Sequence, residues 1–125
     1  MGFGRHERIR RRAEFQHVYT RGSRIQGRYA TIFILANGSE TGRLGIAATR
    51  KLGGAVRRNR AKRLIREVFR RNKIAPGFDV VVVPRRELLD ASLTLLETEY
   101  RTLVGRRLQQ AASGRSGGPV RASRL

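Results

Sequence analysis

The chain has no cysteine and no tryptophan, two histidines (His6 and His17) and only nine acidic residues among 125. Without cysteine there are no disulfides and no thiolate metal sites. Two imidazoles are too few for a zinc site. The acids are scattered, and Glu97 and Glu99 stand two apart, a spacing that does not share a helix face. Two-metal phosphodiester chemistry needs converging carboxylates, and no such cluster is visible, so no catalytic residue is assigned to this chain. There is no Walker A sequence; Gly53-Gly54 alone is a loop signal. No apolar run approaches the roughly 18 residues of a membrane span, and the N-terminus lacks the apolar core of a signal peptide. These absences lead us to expect a soluble, cytoplasmic protein with no membrane association and no obligatory protein partner.

Positive charge is what the chain has in excess. It carries 28 Lys+Arg for a net charge of +19. Such an imbalance costs folding stability through self-repulsion and signals a polyanionic partner. Only Lys51, Lys62 and Lys73 are lysines, so planar guanidinium forks dominate. Residues 56–71 concentrate the excess: eight cations stand with one carboxylate, Glu67. At about 100° per residue, Ala61, Leu64, Ile65, Val68 and Phe69 fall within roughly 140° of arc. Asn59, Lys62, Arg63, Arg66 and Arg70 occupy an arc of about 100° on the other side, flanked by Arg58 and Arg60. A solvated charge run needs no apolar stripe, and a purely structural helix needs no such density of cations. The pattern describes a helix docked on a core by one side and offering the other to a polyanion. Asn59 can bond a base edge or phosphate, or cap the helix start.

The remaining segments fit one domain with a modest core. Residues 1–11 read as a loose basic arm. Residues 12–20 form a short helix in which Phe15, Val18 and Tyr19 share a face, with Gly22 as its stop. Residues 28–36 read as a strand. Asn37-Gly38 signals a hairpin, with residues 43–49 as the returning strand. Pro76-Gly77 follows the basic helix. Residues 78–83 form a continuous apolar strand of the buried kind. Leu89, Leu93, Leu96, Tyr100, Leu103 and Leu108 recur at helical spacing, which predicts a helix over 91–110 capped by Asp90 or Ser92. The domain spans 12–110, and residues 111–125 read as a disordered basic tail. The order helix-strand-strand-helix-strand-helix implies an α/β class chain: a two-layer α/β sandwich with one sheet.

The stretch from Arg43 to Arg70, with Arg58-Asn59-Arg60 followed by Lys62-Arg63 and Arg66, resembles the signature of the protein component of bacterial ribonuclease P. Residues 14–22 resemble that family's first helix, and residues 79–85 its strand after the basic helix. The resemblance implies an α/β sandwich with a left-handed crossover, against the usual right-handed rule. It implies a protein subunit of an RNA endonuclease that removes the 5′ leader of precursor tRNA by phosphodiester hydrolysis. In that enzyme a large RNA is the catalyst and binds most of the Mg²⁺. The protein assists by binding the catalytic RNA and the leader, favouring precursor over mature tRNA and raising the effective affinity for metal ions. Carried over by position, Arg58, Asn59, Arg60, Lys62, Arg63 and Arg66 are expected on the catalytic RNA, and Arg70, on the same arc of the helix, is expected with them. Phe15, Tyr19 and Phe33 are expected in a leader-binding cleft, with Thr49, Arg50 and Lys51 beside it. Tyr19 and Phe33 exchange the positions at which the family more often has Phe and Tyr, which moves a hydroxyl.

Each assignment competes with a plainer one. Generic basic runs are mostly solvated surface, and Phe15, Tyr19 and Phe33 would otherwise read as ordinary core. A ribosomal or ribosome-assembly RNA-binding protein explains the charge and fold but not the motif. A stand-alone nuclease would cut precursor tRNA without added RNA. An architectural DNA-binding protein would bind duplex DNA equally well.

Overall fold

A computed structural model of the chain describes residues 7–113, the last three as backbone only. The element order is α1 (Arg12–Arg21), β1 (Ser23–Gln26), β2 (Ala30–Ala36), β3 (Arg43–Ile46), α2 (Ala55–Arg71), β4 (Phe78–Pro84) and α3 (Leu93–Ser113). Short 3-10 helices at Arg50–Leu52 and Arg86–Asp90 precede α2 and α3. The mixed α/β class expected from the sequence holds, with four strands rather than three.

The sheet order is β1-β2-β4-β3. β4 is antiparallel to β2 and parallel to β3, with Phe33 and Gly45 as the two neighbours of Val81. A strand in this central place is buried on both faces, so the unbroken Val80–Val83 run has no polar alternation. Its parity divides the core. Val80 and Val82 join Ile32, Ile34, Ile65, Phe69, Leu96, Tyr100 and Val104 under α2 and α3. Val81 joins Ile9 and Val18 on the opposite face, with Phe15, Tyr19 and Phe33 packed against them.

Three local expectations are corrected. First, residues 43–49 do not return as a hairpin partner of β2, because β4 lies between the two strands. Asn37 instead closes a loop. Its Nδ2 donates to Thr41 O and Asp79 Oδ1, each at 2.9 Å, and Gly38 takes φ 75°. β3 also ends early, at Ile46. Second, β1 had no sequence signal, since Ser-Arg-Ile-Gln carries one apolar residue; pairing with β2 makes it a strand and buries Ile25. Third, the arm is not loose throughout. Residues 1–6 lie outside the described residues, but Arg8 bridges Leu44, the Ile9 N–H donates to Leu44 O at 2.9 Å, and Ile9 is buried. At the other end the α3 backbone runs to Ser113, past the expected limit of 110, and the rest of the basic tail is outside the described residues. Ser92 does cap α3, its Oγ accepting the Leu95 N–H at 3.2 Å.

Candidate nucleic-acid interface

α2 docks as its periodicity requires. Ala61, Ile65, Val68 and Phe69 are buried, and Leu64 packs against the same core. Asn59, Arg60, Arg63 and Arg66 are exposed, with Arg58 and Lys62 half-buried. Among the described residues, no ion pair involves Arg60, Lys62, Arg63 or Arg66. Asn59 is not the cap: Gly54 holds that position, with no side-chain cap and no acid in the first turn. The positive end of the helix dipole therefore adds to the field of the cations.

Two predicted members stand apart. Arg70 turns to Glu67, with Nη2 on Oε2 and Nε on Oε1, so reaching a phosphate would break an existing pair. Arg71, next to it, lies 3.2 Å from Glu97 Oε2. Arg58 Nη1 donates to Gly53 O at 3.3 Å, which ties it to the turn before the helix. The strongest unengaged set is thus Arg60, Lys62, Arg63 and Arg66.

On the opposite face of the sheet the three predicted aromatics come together. The Tyr19 ring meets Phe33 edge to face with centroids 4.9 Å apart, and Phe15 lies 6.3 Å from Tyr19. All three are half-buried, so each has a packed side and an open one. Burial pushes the Tyr19 hydroxyl pKa up from its ordinary value. Gly45 is buried beneath Phe15: a Cβ there would stand 2.9 Å from the Phe15 ring. Arg85, not in the predicted set, spans this face, with Nε on Gly27 O at 3.1 Å and Nη2 on Thr31 Oγ1 at 3.2 Å. Thr49, Arg50 and Lys51 are exposed where β3 gives way to the 3-10 turn, and Thr49 Oγ1 accepts the Lys51 N–H at 3.3 Å. Tyr29, just before β2, packs with the α2/α3 core.

A polar latch that the sequence reading missed holds α1 over the sheet. Asp79, only 4% exposed, accepts Arg43 Nε at 2.8 Å and Nη2 at 2.7 Å. Arg43 Nη1 reaches Glu14 Oε2 at 3.2 Å, and Glu14 Oε1 accepts the Arg10 and Arg11 N–H groups. Burial works to raise the Asp79 pKa, but the bonds from Arg43 and Asn37 outweigh it and hold the carboxyl below its ordinary value. The Arg11 N–H does the same for Glu14. The available signal was a charge at the start of two otherwise apolar strands, Arg43 and Asp79, which the register sets side by side.

Among the described residues, no group of three or more His, Cys, Asp or Glu side chains could hold a metal ion. No helix among them is long and apolar enough to cross a membrane. Glu99 reaches from α3 to accept the Arg28 and Tyr29 N–H groups.

A small α/β protein with a helix of exposed cations on one side of its sheet and a half-buried aromatic cluster on the other falls in the class of basic single-sheet α/β proteins. Comparison with known proteins is specific. The family model for Ribonuclease P matches residues 3–108. The ribonuclease P protein component of Thermotoga maritima is 47% identical over 88 residues, covering 69% of this chain and 75% of that protein. The one from Clostridioides difficile is 37% identical over 109 residues, covering 85% and 96%. Among solved structures, the RNase P protein from Thermotoga maritima aligns with TM-score 0.72 at 39% identity, over 80% of this chain and 96% of that one. The Staphylococcus aureus RNase P protein aligns with TM-score 0.71 at 30% identity, over 81% and 94%. The chain belongs to the ribonuclease P protein family. Membership implies tRNA processing, a place in an RNA-based endonuclease complex, and an RNA partner; it sets the ribosomal alternative aside.

Proposed function

We propose that α2 binds the catalytic RNA of ribonuclease P while the aromatic cleft holds the 5′ leader of precursor tRNA. One observation carries the first half. Arg60, Lys62, Arg63 and Arg66 stand on α2 away from its buried stripe, and among the described residues none of them has an acid partner, in a chain of charge +19. Cations left unpaired on a rigid helix neutralise phosphates and release counterions. The cleft supplies the second half. Rings with one packed and one open side are platforms for single-stranded bases, and stacking tolerates every base. Weak sequence preference in the leader follows.

Mg²⁺ and the hydrolytic step belong in this reading to the RNA, as the family resemblance implies. What the protein contributes is orientation. A leader held in the cleft has already lost part of its freedom when the scissile bond meets the RNA's metal ions. In this reading Arg85 and the exposed Thr49-Arg50-Lys51 turn are assigned to leader phosphates, and Arg58 supports the turn into α2.

Reconstitution tests the reading. The protein, its cognate RNA and precursor tRNA are combined at low Mg²⁺, and cleavage at the mature 5′ end is followed with each component omitted in turn. The expected result is cleavage that needs the RNA and is stimulated by the protein. Cleavage by the protein alone would overturn the assignment in favour of a stand-alone nuclease.

A further inference from the structure

We propose that the sheet floor continues past the aromatic trio onto β1, where Arg24 and Gln26 form a second station for single-stranded RNA and hold the 5′ leader beyond its stacked bases. The proposal rests on the reading of the trio as the leader cleft and adds to it two residues of the edge strand. β1 is the outer strand of the order β1-β2-β4-β3 and runs antiparallel to β2, with Arg24 opposite Phe33 and Gln26 opposite Thr31. Residues opposite each other on paired strands point to the same face. Ile25, between them, is buried in the core under α2 and α3, whereas Arg24 and Gln26 are exposed. Both therefore stand on the face where Phe33, Phe15 and Tyr19 pack against Val18 and Val81.

The hydrogen-bond phase of the hairpin sharpens the placement. The Gly27 N–H donates to Ala30 O at 2.9 Å, so these two residues are a bonded pair. Alternation makes Ile25 and Ile32 the next bonded pair. It leaves Arg24 with Phe33, and Gln26 with Thr31, as non-bonded pairs whose Cα atoms approach to about 4.5 Å. Arg24 is thus one close step from Phe33, and the main-chain N–H and C=O groups of Arg24 and Gln26 turn to the open edge. Among the described residues no acid pairs with Arg24. Glu99 comes from α3 on the other face and is taken up by the Arg28 and Tyr29 N–H groups. Arg85 borders the same floor, its Nη2 donating to Thr31 Oγ1 at 3.2 Å. A single strand leaving Phe33 therefore meets a guanidinium fork for a phosphate, then an amide that can donate to and accept from a base edge or a 2′-hydroxyl. Charges on a short edge strand also keep other strands from adding to it. That role is served by a cation on either face and gives no dependence on leader length.

The test uses the full chain reconstituted with its cognate RNA, and precursor tRNAs that carry a non-cleavable linkage and leaders lengthened one nucleotide at a time. Dissociation constants are measured by fluorescence anisotropy across a salt series. The wild type is expected to gain affinity in two steps, the first as the trio fills and the second as the leader reaches β1. Arg24→Gln is expected to erase the second step and flatten the salt slope for long leaders by about 0.7, the contribution of one single-strand phosphate. With that contribution vanishing near about 1 M salt, the loss is about fivefold at about 0.1 M. Arg24→Lys is expected to restore the slope. Gln26→Ala is expected to shrink the second step without changing the slope, because an amide releases no counterion; an unchanged step takes Gln26 out of the site. An Arg24→Gln loss of equal size for leaderless tRNA, or no loss at any length, overturns the β1 station. Phe33→Ala separates this proposal from the reading beneath it. If Phe33→Ala weakens binding from the shortest leaders onward while Arg24→Gln is silent, the cleft stands and β1 drops out. If Phe33→Ala leaves leader preference intact, the cleft reading falls and this extension falls with it.

Discussion

Replacing Arg60 and Arg63 together by alanine removes two exposed cations that bond nothing else among the described residues, so the fold should not register their loss. RNA binding should. Each neutralised phosphate contributes about 0.7 to 0.9 to the dependence of log K on log salt, and the wild type, engaging about four to six, should show a slope near −3 to −5. The double variant should be flatter by about 1.4 to 1.8. If the electrostatic contribution vanishes near 1 M salt, the same numbers give an affinity loss of about 25- to 60-fold at 0.1 M, shrinking to about 5- to 9-fold at 0.3 M. Arg70→Ala is the internal control. Arg70 is already bonded to Glu67, so its removal should change the slope by less than either exposed arginine does. The measurement is filter binding or fluorescence anisotropy with the cognate RNA across a salt series, with circular dichroism to confirm the fold. An unchanged slope in the double variant, or an Arg70→Ala effect equal to that of Arg63→Ala, would refute the docking face.

Three further outcomes are expected. Phe33→Ala removes a stacking platform worth about 1–3 kcal/mol per base, so affinity for leader-bearing precursor should fall about 5- to 150-fold while that for leaderless tRNA holds; global unfolding instead would mean that the ring is core. Gly45→Ala places a methyl group 2.9 Å from the Phe15 ring and 3.0 Å from Ile9 Cβ. It should cost about 1–3 kcal/mol in urea denaturation and lower leader preference by displacing α1, and an unperturbed leader affinity would argue that Phe15 is not in the cleft. Asp79 and Glu14 both titrate below their ordinary values of 3.8 and 4.5 when folded. Their stabilisation is therefore complete above those values and drains away as pH falls through the depressed ones. Asp79→Asn should lower the urea midpoint at neutral pH and flatten its decline below pH about 4; a variant as acid-sensitive as wild type would remove Asp79 from that role.

Much of this was legible because the informative signals are local. α2 writes its two faces into a period of 3.6, and its buried and exposed positions fall where the wheel puts them. β4 announces central burial by an unbroken valine run. β1 was invisible because a single isoleucine in Ser-Arg-Ile-Gln makes no alternating pattern; its neighbour β2 imposes the conformation. The Asn37-Gly38 signal was real as a turn and misleading as a hairpin, since strand pairing is decided by the chain's later return through α2 and not by the turn alone. The aromatic trio shows the same limit. Phe15 and Tyr19 share a helical face on local evidence, but their meeting with Phe33 depends on α1 lying across β2 and β4. The Arg43–Asp79 latch joins residues 36 apart and needed the parallel register to be seen. In Arg8 and Ile9 a single apolar residue amid cations gave no periodicity, although that residue is what seats the segment.

The alternation of β4 has a consequence for how this molecule tolerates change. Val80 and Val82 belong to one hydrophobic cluster and Val81 to the other, so a single ribbon of backbone insulates two interiors that share no side chain. Wear on one side is not transmitted as repacking on the other. Substitutions drawn from the two halves should combine as nearly independent increments, and each surface is free to change without repacking the other.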